Sequence, residues 1–210
     1  MRATLTHDKA HELDAVWLRR HFAGRLHSVE TVYGDQDVAR DAASLRAASV
    51  LVPIVARSDE LTMLFTRRTA HLKAHSGQVS FPGGRAEARD ASPEATALRE
   101  TQEEIGLGPE RVELLGRLAD YRTRTGFCVT PVVGLVTPPL ELNPDAFEVE
   151  EVFEVPLSFL LDPANHQRHA REFQGRMVHY FAIPYRDYYI WGATAGMLVN
   201  FYRHLAAGLE

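Results

Sequence analysis

Three glutamates on one short stretch carry the strongest chemical signal in the chain. In Arg99-Glu100-Thr101-Gln102-Glu103-Glu104-Ile105-Gly106-Leu107, a helical advance of about 100° per residue places Glu103 and Glu104 about −60° and +40° from Glu100. The carboxylates then share one face, while Leu98, Thr101 and Ile105 project to the opposite side, where a sheet would cover them. Like charges at these spacings repel, and they stand near the negative C-terminal end of the helix dipole. A hard cation such as Mg²⁺ relieves both effects, because it prefers carboxylate oxygen and commonly bridges protein carboxylates to substrate phosphates. Three glutamates alone are better explained as a solvated acidic helix face, so the reading turns on what surrounds them. Arg99, four residues before Glu103, is spaced to pair with that carboxylate and hold it.

The elements that must position these groups are legible as periodicity and punctuation. Ser92-Pro93 is a helix-start signal and Gly106 a stop, which predicts a helix over 93–105. Ser49 to Val55 and Leu61 to Thr66 read as a hairpin across the polar Arg57-Ser58-Asp59-Glu60, with a third short strand over 78–81. Further strands are expected over 112–119, 128–136, 151–156 and 176–183. Amphipathic helices are expected over Ala10–Leu26, through Leu13, Val16, Trp17, Phe22 and Leu26, and over 194–209.

Length and charge bound the function. With 210 residues, 45% hydrophobic and 24% charged, the chain is an ordinary folded protein of one elaborated domain. We divide it into an N-terminal helical extension over 1–34 and a main domain over 35–210. A formal net charge of −5 argues against broad nucleic-acid binding and leaves room for a local basic pocket. The single cysteine, Cys128, and the lack of a long apolar leader or span point to a reducing, cytoplasmic setting without a membrane partner. The histidines form no compact ligand motif for zinc, and neither a nucleophile elbow nor a phosphate-binding P-loop is present.

Gly84, Arg99, Glu100, Glu103, Glu104, Gly106 and Leu107 resemble the Nudix hydrolase box, G-x5-E-x7-R-E-U-x-E-E-x-G-U. Thr101 departs at an aliphatic position. Asp90 replaces the first glutamate, in a loop one residue longer than the standard one. The stretch from Leu64 to Gly84 is similar to the signature of the coenzyme A pyrophosphatase branch, with Leu64, Thr66, Arg68, Gly77, Phe81, Pro82, Gly83 and Gly84 in register and Lys73 standing for an arginine.

The resemblance implies a Nudix-type α/β/α sandwich with a mixed β-sheet, Mg²⁺ or Mn²⁺ as cofactor, and a small-molecule substrate. It implies metal ligation by Glu100, Glu103, Glu104 and the Gly84 carbonyl. Catalytic roles fall to Glu103, Glu148 and Arg99, the general base being a box glutamate or the loop residue Glu148. Arg68, Lys73, Gly77, Phe81 and Gly83 are implied in substrate binding, with Arg67, His71 and His75 adding charge for the anions of coenzyme A. Trp191 is read either as lining the pantetheine end of the cleft or as a helix start packed on the sheet. The expected reaction cleaves coenzyme A, and its acyl or oxidised forms, to 3′,5′-ADP and 4′-phosphopantetheine or its derivative. The alternatives are another nucleoside diphosphate derivative such as ADP-ribose or NADH, or a catalytically silent nucleotide-binding domain. A homodimer is the expected assembly.

Overall fold

In a computed structural model, residues 13–24, 29–33, 45–71, 77–173 and 175–208 are described. Strand β1 (Arg46–Ala56) lies at the centre of the main sheet. Its apolar run alternates between two cores, Ala48, Val52 and Ile54 entering one and Leu51 and Val55 the other. A strand buried on both faces reads as a continuous hydrophobic run, which is why 50–55 shows no polar alternation. Strand β7 (Phe127–Val136) runs parallel to β1 from Arg46↔Phe127 to Val55↔Val136. Strands β2 (Leu61–Arg68), β5 (Val112–Arg117), β6 (Tyr121–Arg122) and β8 (Val149–Pro156) join antiparallel, so the sheet is mixed.

The β1–β2 hairpin splays. The two strands pair only from Ile54↔Met63 to Ala56↔Leu61, and beyond that the segment from Gly77 onward enters the opened gap. Strand β3 (Val79–Ser80) pairs with Thr66 and Arg67 of β2, while β4 (Gly83–Arg85) pairs with Ala48–Val50 of β1. Pro82 carries the chain from one wall of the gap to the other, and its carbonyl accepts from the Leu51 amide at 2.9 Å. Gly83 and Gly84 are thereby set in the middle of the sheet.

Helix α1 (Ala15–Ala23), helix α2 (Pro93–Ile105), helix α3 (Leu157–Leu160) and helix α4 (Ala193–Ala207) complete the layers. Ala97 and Ile105 of α2 close one core, and α1, α3 and α4 close the other, giving the α/β/α sandwich. Helix α2 starts and stops where its sequence says. Ser92 Oγ accepts from the Ala95 amide at 3.2 Å, Pro93 opens the helix, and Gly106 ends it at φ 72°, a conformation glycine adopts without a Cβ penalty.

Its buried face differs from the expected one. Thr96, Ala97, Thr101, Glu104 and Ile105 are buried, whereas Leu98 is only half-buried, because the sheet meets the helix on the side that also carries Glu104. Thr101 fills the aliphatic position with a hydroxyl that donates to the Ala97 carbonyl at 2.6 Å, so its polarity is satisfied inside the helix.

Helix α1 is shorter than the expected 10–26, since Gly24 caps it, and Leu26 lies outside the described residues. Leu18 and Phe22 form its buried face while Val16 is exposed. The segment after it is tied to α4: Asn200 accepts from the Val32 amide at 2.7 Å and donates to the Val32 carbonyl at 2.9 Å. The N-terminal helix therefore shares the core of the main domain. A second sheet contains β9 (Gln167–Phe173), β10 (Arg176–Tyr185) and β11 (Tyr188–Trp191) in the order β11-β10-β9. Its Ile183 and Ile190 enter the α4-side core. Among the described residues, no helix is long and apolar enough to cross a membrane.

Candidate active site

Helix α2 lays its acidic face against the Gly83-Gly84 turn. The Gly83 amide donates to Glu104 Oε2 at 3.1 Å. A Cβ on Gly83 would lie 2.4 Å from the Ser49 carbonyl oxygen, and one on Gly84 would lie 2.5 Å from Glu100 Oε2. Glycine is thus required at both places by close approach, to the backbone of β1 in one case and to a site carboxylate in the other. Glu104 is buried, Glu100 half-buried, and Glu103 stands exposed at the rim. The three do share a face of the helix, but at three depths.

Arg99 organises this face. Its Nε and Nη2 donate to the two oxygens of Asp90 at 2.9 Å each, Nη2 also to the Arg85 carbonyl at 3.1 Å, and Nη1 to Glu100 Oε1 and Glu103 Oε2 at 2.9 Å each. A guanidinium has five N–H donors, and all five are occupied. The expectation of a catalytic Arg99 is therefore corrected: with no donor left for a substrate, it is a positioning residue. Asp90 is the partner that the longer loop delivers, and it accepts as well from Thr96 Oγ1 at 3.0 Å and the Glu87 amide at 2.9 Å. The Arg99 hydrogen bonds hold the Asp90 carboxyl well below the usual carboxylate range. Glu103 is further tied by Arg89 at 3.2 Å.

Glu148 arrives from a loop docked on the C-terminus of α2. The Asn143 amide donates to the Ile105 carbonyl and the Asp145 amide to the Glu104 carbonyl, both at 2.9 Å. The Asp145 carbonyl in turn accepts from the Glu148 and Val149 amides. The Thr69 amide binds the Glu148 carbonyl at 3.0 Å, and Thr69 Oγ1 the Phe147 carbonyl at 2.8 Å. Arg68 then bridges the two acids, Nη1 lying 3.6 Å from Glu104 Oε1 and Nη2 3.5 Å from Glu148 Oε2.

Two of the residues expected to touch substrate lie elsewhere. Phe81 is 2% exposed and stacks on Phe65 at 5.1 Å between centroids, so the expectation is corrected: the ring belongs to the core and anchors the Pro82-Gly83-Gly84 turn from below. Arg67 pairs with Glu150 and Glu151 at 3.3 and 3.0 Å, apart from the Glu104 and Glu148 that Arg68 meets, the ladder shifting register between the two arginines. Gly77, at φ 66°, faces open space, its amide donating to the Arg68 carbonyl at 3.1 Å. Trp191 ends β11 next to the start of α4 and meets Tyr180 edge-on at 5.6 Å. Lys73 and His75 lie outside the described residues.

The electrostatics favour a cation. Desolvation pushes the Glu104 carboxyl up to about 7 against the Gly83 hydrogen bond and the Arg68 charge, with Glu148 and Glu100 pushing the same way. Glu100 is also raised, first by burial and then by Glu103 and Glu148, despite Arg99. Two partly desolvated carboxylates beside a third, packed against a glycine turn too close for a Cβ, make an all-oxygen donor set of the kind that suits a hard divalent ion. Among the described residues, no three His, Cys, Asp or Glu side chains stand grouped as a ready-made metal site.

The profile of the NUDIX domain matches residues 45–176. A protein named "Uncharacterized Nudix hydrolase NudL" from Enterobacter sp. (strain 638) is 40% identical over 161 residues, covering 77% of this chain and 83% of its own. The protein of the same name from Cronobacter sakazakii is 42% identical over 163 residues, covering 77% and 83%. Among solved structures, the Nudix hydrolase RenU of M. smegmatis is similar with 22% identity and a TM-score of 0.45, over 53% of this chain and 70% of that one. The profile spans more than half of the chain and these relatives most of it, so the chain belongs to the Nudix hydrolase family.

Proposed function

We propose that this Nudix hydrolase cleaves the pyrophosphate bond of coenzyme A and its acyl or oxidised derivatives, releasing 3′,5′-ADP and 4′-phosphopantetheine or its derivative. The observation that carries the reading is Arg68 standing between Glu104 and Glu148. It joins the segment resembling the coenzyme A pyrophosphatase signature to the acidic helix in one site. Glu100 and Glu104, with Glu103 at the rim and the Gly84 carbonyl, would hold Mg²⁺ or Mn²⁺. Such an ion supplies charge neutralisation at the pyrophosphate and acidifies water.

The chain's own groups do the rest. Arg99 fixes Glu100 and Glu103 in one orientation through Asp90. Arg68 is held only loosely by its two acids, so once cationic charge satisfies Glu104 its planar fork can turn to a phosphate oxygen. Glu148 accepts the proton of the attacking water at Oε1, its Oε2 facing Arg68, while its backbone is pinned by Asp145 and Thr69. The Gly83-Gly84 turn lets the β1 backbone and the Glu100 carboxylate pack directly against it. Lys73 adds charge for the 3′-phosphate.

Product analysis with coenzyme A and dephospho-coenzyme A, each with Mg²⁺, Mn²⁺ or chelator, tests the reading. Metal-dependent release of 3′,5′-ADP with coenzyme A preferred is the expected result. Lys73→Ala should raise KM for coenzyme A more than for dephospho-coenzyme A. Cleavage of ADP-ribose or NADH in preference to both would assign another nucleoside diphosphate substrate, and no cleavage of any would favour a silent binding domain.

A further inference from the structure

The second sheet ends in a strand whose outer edge pairs with nothing among the described residues. The Gly192 amide donates to the Phe181 carbonyl at 3.0 Å, so the backbone of Phe181 points toward β11 and away from β9. Phe181 stands opposite Arg168, which makes that a non-hydrogen-bonded pair and turns the Arg168 N–H and C=O outward. By alternation the same holds for Ala170 and Glu172. Three successive outward backbone sites are therefore offered by an exposed strand without proline or bulge, whose charges are of both signs and so do not repel every second strand.

The side chains of that edge are self-complementary. An antiparallel copy of β9 centred on Ala170 would set Arg168 opposite Glu172 twice, on one face of the sheet, and would pair the backbones of Arg168, Ala170 and Glu172 with those of the second copy. All three meetings fall in hydrogen-bonded register, giving about six backbone bonds. Neither Arg168 nor Glu172 has an ion-pair partner among the described residues. Phe173 and Met177, beside this edge, are 43% and 59% exposed. A two-fold contact must be self-complementary in this sense, residue i meeting j while j meets i.

We propose that the outer edge of β9 is the docking surface for a second copy of this chain, the two three-stranded sheets joining across Ala170 into one. The proposal is independent of the substrate reading, since β9 carries none of the residues of the candidate site.

Mass measurement in solution across a concentration series, on the full chain and its variants, tests it. Wild type should reach twice the monomer mass at high concentration. Arg168→Glu places Glu opposite Glu and Glu172→Arg places Arg opposite Arg, so each variant alone should stay monomeric. Mixed together, these two variants should form a heterodimer, because every cross-strand pair is then of opposite charge. Ala170→Pro removes the central outward N–H without cutting a β9–β10 bond and should also be monomeric, with unchanged circular dichroism and hydrolytic activity. A wild type that remains monomeric throughout, because solvent or another part of the same chain covers the edge, overturns the proposal. So does a dimer that the two charge reversals leave intact, or a mixture that fails to pair.

Discussion

Glu104 is the residue where burial and charge meet most sharply. Its carboxyl is raised from 4.5 to about 7 in the metal-free protein, so between those values the folded state holds a proton that the unfolded chain releases. This group therefore lowers stability as pH rises through the window from about 4.5 to 7, and a bound cation reverses the loss by replacing the proton. The expected outcome is that Mn²⁺ affinity rises up to about tenfold per pH unit below 7 and levels off above it, with proton uptake by buffer visible in titration calorimetry. Glu104→Gln should remove that pH slope and abolish metal-dependent turnover while leaving the fold intact. A folded Glu104→Gln enzyme with normal turnover would take Glu104 out of the metal set. Gly84→Ala tests the other side of the contact. The new Cβ would stand 2.5 Å from Glu100 Oε2, so the carboxylate must give way by about 1 Å, and a misplacement of that size costs about 10²-fold in rate. Thermal stability should change far less than kcat.

At the scale of elements, helix α2 was readable from its own sequence because its signals are local. Ser92, Pro93 and Gly106 define its ends within a turn, and the i, i+3, i+4 spacing of Glu100, Glu103 and Glu104 needs no tertiary information. What positions the helix was harder to read. Gly83–Arg85 becomes a strand only because β1 and β2 splay, a consequence of pairings between residues far apart in sequence. Strand β9 has an almost wholly exposed sequence, Gln-Arg-His-Ala-Arg-Glu-Phe, and exists through its pairing with β10, so no hydrophobic alternation announces it. Glu148 was singled out as a loop acid, yet the Asp145 contacts that dock it on α2 have no signature beyond a turn-forming Asn-Pro-Asp. Asp90, whose role the longer loop obscured, proves to be the support of Arg99. Asp90→Ala should free that guanidinium and lower metal affinity or activity by about 10–100-fold, the usual cost of losing a group that orients metal ligands. Asp90→Glu should recover part of the loss, and an Asp90→Ala enzyme with wild-type metal affinity would show that Arg99 holds Glu100 and Glu103 unaided.

For the molecule as a whole, the two cores on either face of one sheet divide labour. The core under α2 contains Leu51, Val55, Ala97 and Ile105, and supports the helix that carries the carboxylates. The opposite core contains Leu18, Phe22, Val52 and Phe201 and reaches the site through the shared strands and through Phe81, remote from Leu18 in the chain, which seats the Pro82-Gly83-Gly84 turn. Truncating a fully buried aliphatic side chain costs about 2–5 kcal/mol, because the lost transfer energy is joined by the cavity left behind. Leu18→Ala and Ile105→Ala should thus be comparably destabilising, each lowering Tm by about 5–15 °C for a domain of this size. Their effects on activity should differ. Ile105 is the residue after Glu104, and its carbonyl anchors the Asn143 amide at the start of the Glu148 loop. A cavity there loosens both acids, and kcat should fall by about 10-fold or more below the melting transition. Leu18 lies across the sheet, so its loss should leave kcat and metal affinity near wild type at temperatures where the protein stays folded. Paired melting curves and initial rates at one temperature below both transitions separate the cases. Equal losses of kcat in the two variants would mean that the sheet transmits strain from one face to the other and that the cores are not separable.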